Sequence, residues 1–264
     1  MTFSRRIASL LSVVALSGLA IGSSGVTRAA DAPALDKAAV EAIVKSYILE
    51  HPEVIEQAQT ILEKRHQDEA EAAQKAALAT VGPALFNSPN QVVLGNPKGD
   101  VTLVEFFDYN CGYCKQALPD MINLMASDKN LRVVLKEFPI LTPGSVEAAR
   151  IAIAVNHIAP ERYLEFHQKL LGGRGQANKQ RALDVVAEMG LDKAKIDAES
   201  QNTAIVMPSL QESSALATKL GLNGTPSYVI GQTIIPGAVG IDRLKDQIAT
   251  LRQTCKADGG VKAC

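Results

Sequence analysis

Two cysteines separated by two residues, Cys111 and Cys114, stand where an apolar run from Val101 to Phe107 gives way to a helix-like stretch. No other feature constrains the chain so strongly. A cysteine at a helix start meets backbone N–H groups that lack carbonyl partners and the positive end of the helix dipole, and both favour a thiolate. Two intervening residues bring the sulfurs close enough to form and break a disulfide. The first cysteine is therefore expected to be exposed and partly ionised, and the second, one turn in, to be buried. The same spacing could supply half of a zinc site, but Cys255 and Cys264 are wrongly spaced to complete one and lie at the far end of the chain. No metal or other cofactor is assigned, although two soft thiolates could hold Cu(I).

Residues 1–29 read as a secretory signal, with Arg5 and Arg6 before an apolar stretch from Ile7 to Ile21 and small residues after it. Cleavage after Ala29 places Thr27 and Ala29 at the small-residue positions. Ala8 and Ser9 follow the arginine pair where a twin-arginine signal has apolar bulk, which favours the general secretion route. Export to the periplasm suits a dithiol, because disulfides persist outside the cytoplasm. Removing the segment takes away three basic residues and no acidic ones, so the net charge moves from −1 to −4. A mildly acidic surface without a basic cluster argues against nucleic acid or an anionic membrane as partner.

Residues 30–82 read as a helical stalk and linker. Val40, Ile43, Val44, Tyr47 and Ile48 form an apolar stripe at helical spacing, His51-Pro52 interrupts it, and Val54, Ile55, Ala58, Ile61 and Leu62 resume it. Every residue from Glu63 to Glu69 is polar, so that stretch is expected to run through solvent. The stripe can dock on the rest of the chain or pair with copies of itself; its separation by the polar stretch favours self-association. Gly82-Pro83 is expected to break the helix and open a second domain, 83–254.

In that domain, strands are expected at 91–94, 101–108 and 131–138, and a helix at 111–126. Helices then fill an insertion over about 144–220, two short strands follow at 226–230 and 232–235, and a helix closes at 241–252. This is an α/β arrangement split by a helical insertion.

Gly224-Thr225-Pro226-Ser227 immediately precedes one of the late strands. Glu105 lies within a strand otherwise built from Val, Leu and Phe, where a carboxylate needs a partner or a role. Lys136 sits in the next strand and could reach it. Glu105 and Lys136 then read either as a strand-edge ion pair or as an acid–base group beneath the dithiol. An even cysteine count and the Asp258-Gly259-Gly260 turn predict a local structural disulfide between Cys255 and Cys264, worth roughly 2–3 kcal/mol by loop closure; a second redox pair is the alternative.

Residues 91–252 resemble the DsbA family of thioredoxin-fold oxidoreductases. The resemblance rests on Glu105-Phe106-Phe107 leading into Cys111-Gly112-Tyr113-Cys114, on the helical insertion, and on Gly224-Thr225-Pro226. It implies a cis Thr225–Pro226 bond facing the dithiol, and substrate contacts at Thr225, Pro226, Gly112 and Tyr113. It also favours the acid–base reading of Glu105 and Lys136. DsbA has a histidine before its second cysteine; Tyr113 stands there instead, and none of the four histidines is near the motif. A phenol stabilises a thiolate less, which predicts a weaker oxidant than DsbA, whose potential is near −120 mV.

Residues Tyr47 to Ile55 are similar to the N-terminal stalk of exported ScsC-type proteins linked to copper tolerance, some of which are oligomeric isomerases. The function expected is an exported thiol–disulfide oxidoreductase, a disulfide isomerase acting on unfolded or misfolded secreted proteins. A membrane redox partner and a homo-oligomeric state go with it. A monomeric DsbA-like oxidase and a Cu(I)-binding protein are the alternatives.

Overall fold

The computed structural model describes residues 36–257, so the expected signal segment 1–29 and Cys264 lie outside the described residues. Contacts divide the chain into two units between Ile61 and Leu62. In the first, α1 (Lys37–Glu50) ends at His51, whose N–H donates to the Tyr47 carbonyl, and α2 (Glu53–Asn87) begins just after Pro52. No residue of α1 is buried, and Val40, Ile43, Val44, Tyr47 and Leu49 are all exposed.

The expected break at Gly82-Pro83 does not occur, and α2 runs through it to Asn87. A proline inside a helix costs about 3 kcal/mol. Against that, the last turns bury Leu78, Val81 and Leu85 on the sheet, each worth about 1.5–3 kcal/mol. Side chains also satisfy the terminal carbonyls of α2: Lys136 Nζ donates to Ala84 O at 3.0 Å, and Arg132 Nη1 and Gln91 Nε2 donate to Phe86 O. The end of the expected linker is thus part of the second unit's core. From Leu62 to Ala76 the helix is exposed along its whole length, as its polar sequence requires.

The second unit is built on five strands: β1 (Val92–Gly95), β2 (Val101–Phe107), β3 (Leu131–Glu137), β4 (Ser227–Ile230) and β5 (Thr233–Pro236). Their order is β1-β3-β2-β4-β5, with β2 and β3 parallel and the other pairs antiparallel. The parallel pair needs a crossover, and α3 (Gly112–Ser127) supplies it. Between β3 and β4 stand α4 (Pro143–Ile158), α5 (Tyr163–Gly172), α6 (Lys179–Glu188), α7 (Lys193–Ser200) and α8 (Thr203–Lys219), and α9 (Ile241–Ala257) follows β5.

Successive side chains of a strand point to opposite faces. Leu103 and Phe107 of β2 join Val133 and Leu135 of β3 in the larger core, which also holds both cysteines of the dithiol. Val104 and Phe106 join Val134, Phe138 and the α2 residues on the other face. No helix among the described residues is long and apolar enough to cross a membrane.

Candidate active site

β2 ends at Phe107, and a tight turn carries the chain into α3. Asp108 builds that turn: its Oδ1 accepts from the Asn110 N–H at 2.7 Å, its Oδ2 accepts from the N–H groups of Ile140 and Leu141, and its carbonyl accepts from the Cys111 N–H. The two ends of β2 and β3 are thereby tied together at the point where α3 starts. Cys111 is the N-cap of α3, and its Sγ accepts from the Cys114 N–H at 3.4 Å, taking one of the free donors of the first turn. The Cys111 thiol donates to the Thr225 carbonyl at 3.1 Å. The Thr225–Pro226 bond is cis. The chain therefore brings Cys111, Cys114, Thr225 and Pro226 together across more than a hundred residues of sequence.

Cys111 is not exposed as expected: it is 6% accessible, because its sulfur rests against the Thr225 carbonyl. It still lines a groove of about 410 Å³ with Gly112, Lys115, Leu170, Gly173 and Gln176. Cys114 is fully buried, and burial pushes its thiol far above the ordinary range, with the Glu105 carboxylate adding to the effect. Both cysteines are free thiols. Tyr113 is exposed beside them, and a side chain at Gly112 would meet only open space.

Glu105 lies under the dithiol, 4% accessible, on the face of β2 that carries Phe107. Burial raises its carboxyl to about 8. In the β2–β4 register it stands opposite Tyr228, a buried residue that the sequence reading passed over. Burial and then the Glu105 charge raise the Tyr228 phenol well above its usual range.

Lys136 is not at this site. The β2–β3 register sets Glu105 beside Leu135 and Lys136 beside Phe106, so the two side chains leave opposite faces of the sheet. The Lys136 ammonium, 1% accessible, pairs with Glu212 Oε1 at 2.7 Å and caps α2. Neither an ion pair with Glu105 nor an acid–base role at the dithiol fits that position. Glu212→Ala should cost about 3 kcal/mol in denaturant unfolding, because it leaves an ammonium buried without its partner. Thiol exchange at the dithiol should keep its native rate.

The sequence reading also missed a buried polar group behind the turn. His167 was remote from the motif in sequence, yet its ring packs on Phe107 and Tyr109 at centroid distances of 4.8 and 5.6 Å. Its Nδ1 lies 3.2 Å from the Tyr109 hydroxyl, which in turn lies 3.3 Å from that of Tyr163; Tyr163 donates to Glu137 Oε1 at 3.0 Å. Burial lowers His167 to about 3, so it is neutral, and raises Glu137 well above the usual carboxylate range. Tyr163 and His167 stand one helical turn apart, but no local pattern in the sequence ties them to Tyr109 or Glu137. Cys255 is disulfide-bonded, and its expected partner Cys264 lies outside the described residues. Among the described residues no group of three or more His, Cys, Asp or Glu could hold a metal ion.

With strand, dithiol helix and cis-proline strand in place, residues 102–249 match the DSBA-like thioredoxin domain. The chain belongs to that family. Residues 36–69 match the copper resistance protein ScsC N-terminal domain. Among solved structures, a thioredoxin-like oxidoreductase from Silicibacter pomeroyi DSS-3 is 43% identical, with a TM-score of 0.62 over 65% of this chain and 97% of that one. The thiol-disulfide exchange protein alpha-DsbA2 from Wolbachia pipientis is 27% identical, with a TM-score of 0.64 over 69% and 97%. Proteus mirabilis ScsC in a compact conformation is 30% identical, with a TM-score of 0.62 over 82% and 97%. Against two curated relatives the chain spans about a quarter of their length. These are the Na(+)/H(+) antiporters NhaA of Herminiimonas arsenicoxydans and NhaA 1 of Salinispora arenicola. Each is 24% identical, over 52% and 60% of this chain and 22% and 24% of the relative. In this DSBA-like domain the sheet and α3 hold the dithiol, while α4 to α8 form the insertion between β3 and β4.

Proposed function

We propose that this DSBA-like chain is an exported, periplasmic thiol–disulfide oxidoreductase that isomerises disulfides in misfolded secreted proteins. One observation carries the reading: Cys111 caps α3 at the side of an open groove, with its sulfur against the Thr225 carbonyl, while Cys114 lies one turn deeper over Glu105. The Cys111 thiolate attacks a substrate disulfide. A bond forms between Cys111 Sγ and one substrate sulfur, and the other substrate sulfur leaves as a thiolate and takes up a proton. A second substrate thiolate can then displace Cys111, which rearranges the substrate without net oxidation. Alternatively Cys114 displaces the substrate, giving a Cys111–Cys114 disulfide and a reduced substrate, and Glu105 takes the Cys114 proton. No cofactor enters either route. The backbone at Thr225 and Pro226 supports an extended substrate by strand addition, and Gly112 and Tyr113 offer it an unobstructed surface.

Isomerase over oxidase is supported by the apolar stripe of α1, which is exposed among the described residues, and by its match to the ScsC N-terminal domain. Copies joined through that stripe present several dithiols to one misfolded chain at high effective concentration. Cys255 and Cys264 serve as a structural pair, and a membrane protein restores the dithiol. Rescue of scrambled ribonuclease tests the assignment: recovery of activity is expected, whereas oxidation of reduced ribonuclease without rescue of the scrambled form would make the chain an oxidase. Light scattering should give a multiple of the protomer mass, and the double variant Ile43→Glu, Tyr47→Glu should give the protomer mass while keeping dithiol chemistry.

A further inference from the structure

Asn110, immediately before Cys111, joins three parts of the second unit through one side-chain amide. Its Nδ2 donates to Thr142 Oγ1 at 3.2 Å, Ser145 Oγ at 2.9 Å and the Ala177 carbonyl at 2.9 Å, and its Oδ1 accepts from the Ala177 N–H at 2.8 Å. Thr142 and Ser145 are the capping box at the start of α4, and Ala177 belongs to the loop between α5 and α6. Both backbone groups of Ala177 are therefore held by the residue next to Cys111. The approach is close: a Cβ built on Gly144, in the first turn of α4, would lie 2.7 Å from the Ala177 carbonyl.

The same α5–α6 loop forms one wall of the groove beside Cys111, through Gly173 and Gln176, and the first turn of α3 forms the other, through Gly112 and Lys115. A second tie crosses it where the Lys115 ammonium donates to the Gly173 carbonyl. The walls mix amide and ammonium groups with Leu170, a lining that suits peptide backbone together with an apolar side chain.

We propose that Asn110 is a positioning residue that sets the width of this groove, and that the groove receives substrate polypeptide flanking the cystine attacked by Cys111. The inference rests on the thiol-exchange reading above and adds a subsite to it. A small disulfide reaches Cys111 without using the groove, so selectivity between a peptide and a small disulfide reports on it.

The test measures single-turnover exchange of the full chain with bis(2-hydroxyethyl) disulfide and with a disulfide-linked peptide about ten residues long. Asn110→Ala should lower the ratio of peptide rate to small-disulfide rate roughly tenfold, through a higher half-saturating peptide concentration. Gly144→Ala, which displaces the Ala177 carbonyl from Asn110 while leaving the Asn110 side chain in place, should lower the ratio in the same direction; it decides the matter if the first variant does not fold. Equal losses on both substrates, or an unchanged ratio in a folded variant, would overturn the subsite. A native chain that exchanges with neither substrate would overturn the exchange reading itself.

Discussion

Replacing Glu105 with glutamine should make the chain more stable at alkaline pH and slower at chemistry. The carboxyl sits at about 8 in the folded chain, against 4.5 when solvated. Between those values the folded state holds a proton that the unfolded state has released, so the native chain loses stability as pH rises and levels off above 8. The full difference is about 5 kcal/mol at 1.36 kcal/mol per pH unit. Denaturant midpoints of Glu105→Gln should therefore pull ahead of the native chain from about pH 4.5 to about pH 8 and stay ahead beyond it. Resolution of a mixed disulfide should slow roughly a hundredfold, within the usual range for a lost proton acceptor, and its inflection near pH 8 should vanish. Unaltered resolution with the stability gain intact would reduce Glu105 to a buried acid without a part in exchange.

Cys111→Ala should abolish exchange, by a factor on the order of 10³ or more, because Cys111 is the only cysteine among the described residues that line the groove. Cys114 cannot stand in. It is fully buried, and both burial and the Glu105 charge oppose its ionisation. Single-turnover exchange with a peptide disulfide checks this, and an activity within tenfold of the native chain would move the nucleophile elsewhere.

Much of this site was legible from residue types alone. A β-rich run, two cysteines one turn apart and a later Thr-Pro before a strand define the dithiol and the backbone that faces it, because each is a local signal. Lys136 was misread because β2 and β3 are buried on both faces. Their sequences carry no alternation that would show which residues share a face, and the register of a parallel pair cannot be read from either strand. Pro83 was misread because local propensity lost to packing: Leu78, Val81 and Leu85 hold the helix past it. His167 and Asn110 were invisible for a different reason. Their contacts are made with residues 58 and 67 positions away, and no local pattern announces them.

Everything in the mechanism depends on a covalent bond formed first at the capping sulfur and broken from the buried one. Cys114→Ala removes the displacing thiol and leaves the attacking one in its seat. Incubated with a disulfide-containing unfolded polypeptide and resolved without reductant, this variant should accumulate a one-to-one adduct whose linking peptide contains Cys111, and added dithiothreitol should release it. A variant that yields no adduct, or one linked through Cys255 or Cys264, would contradict the account.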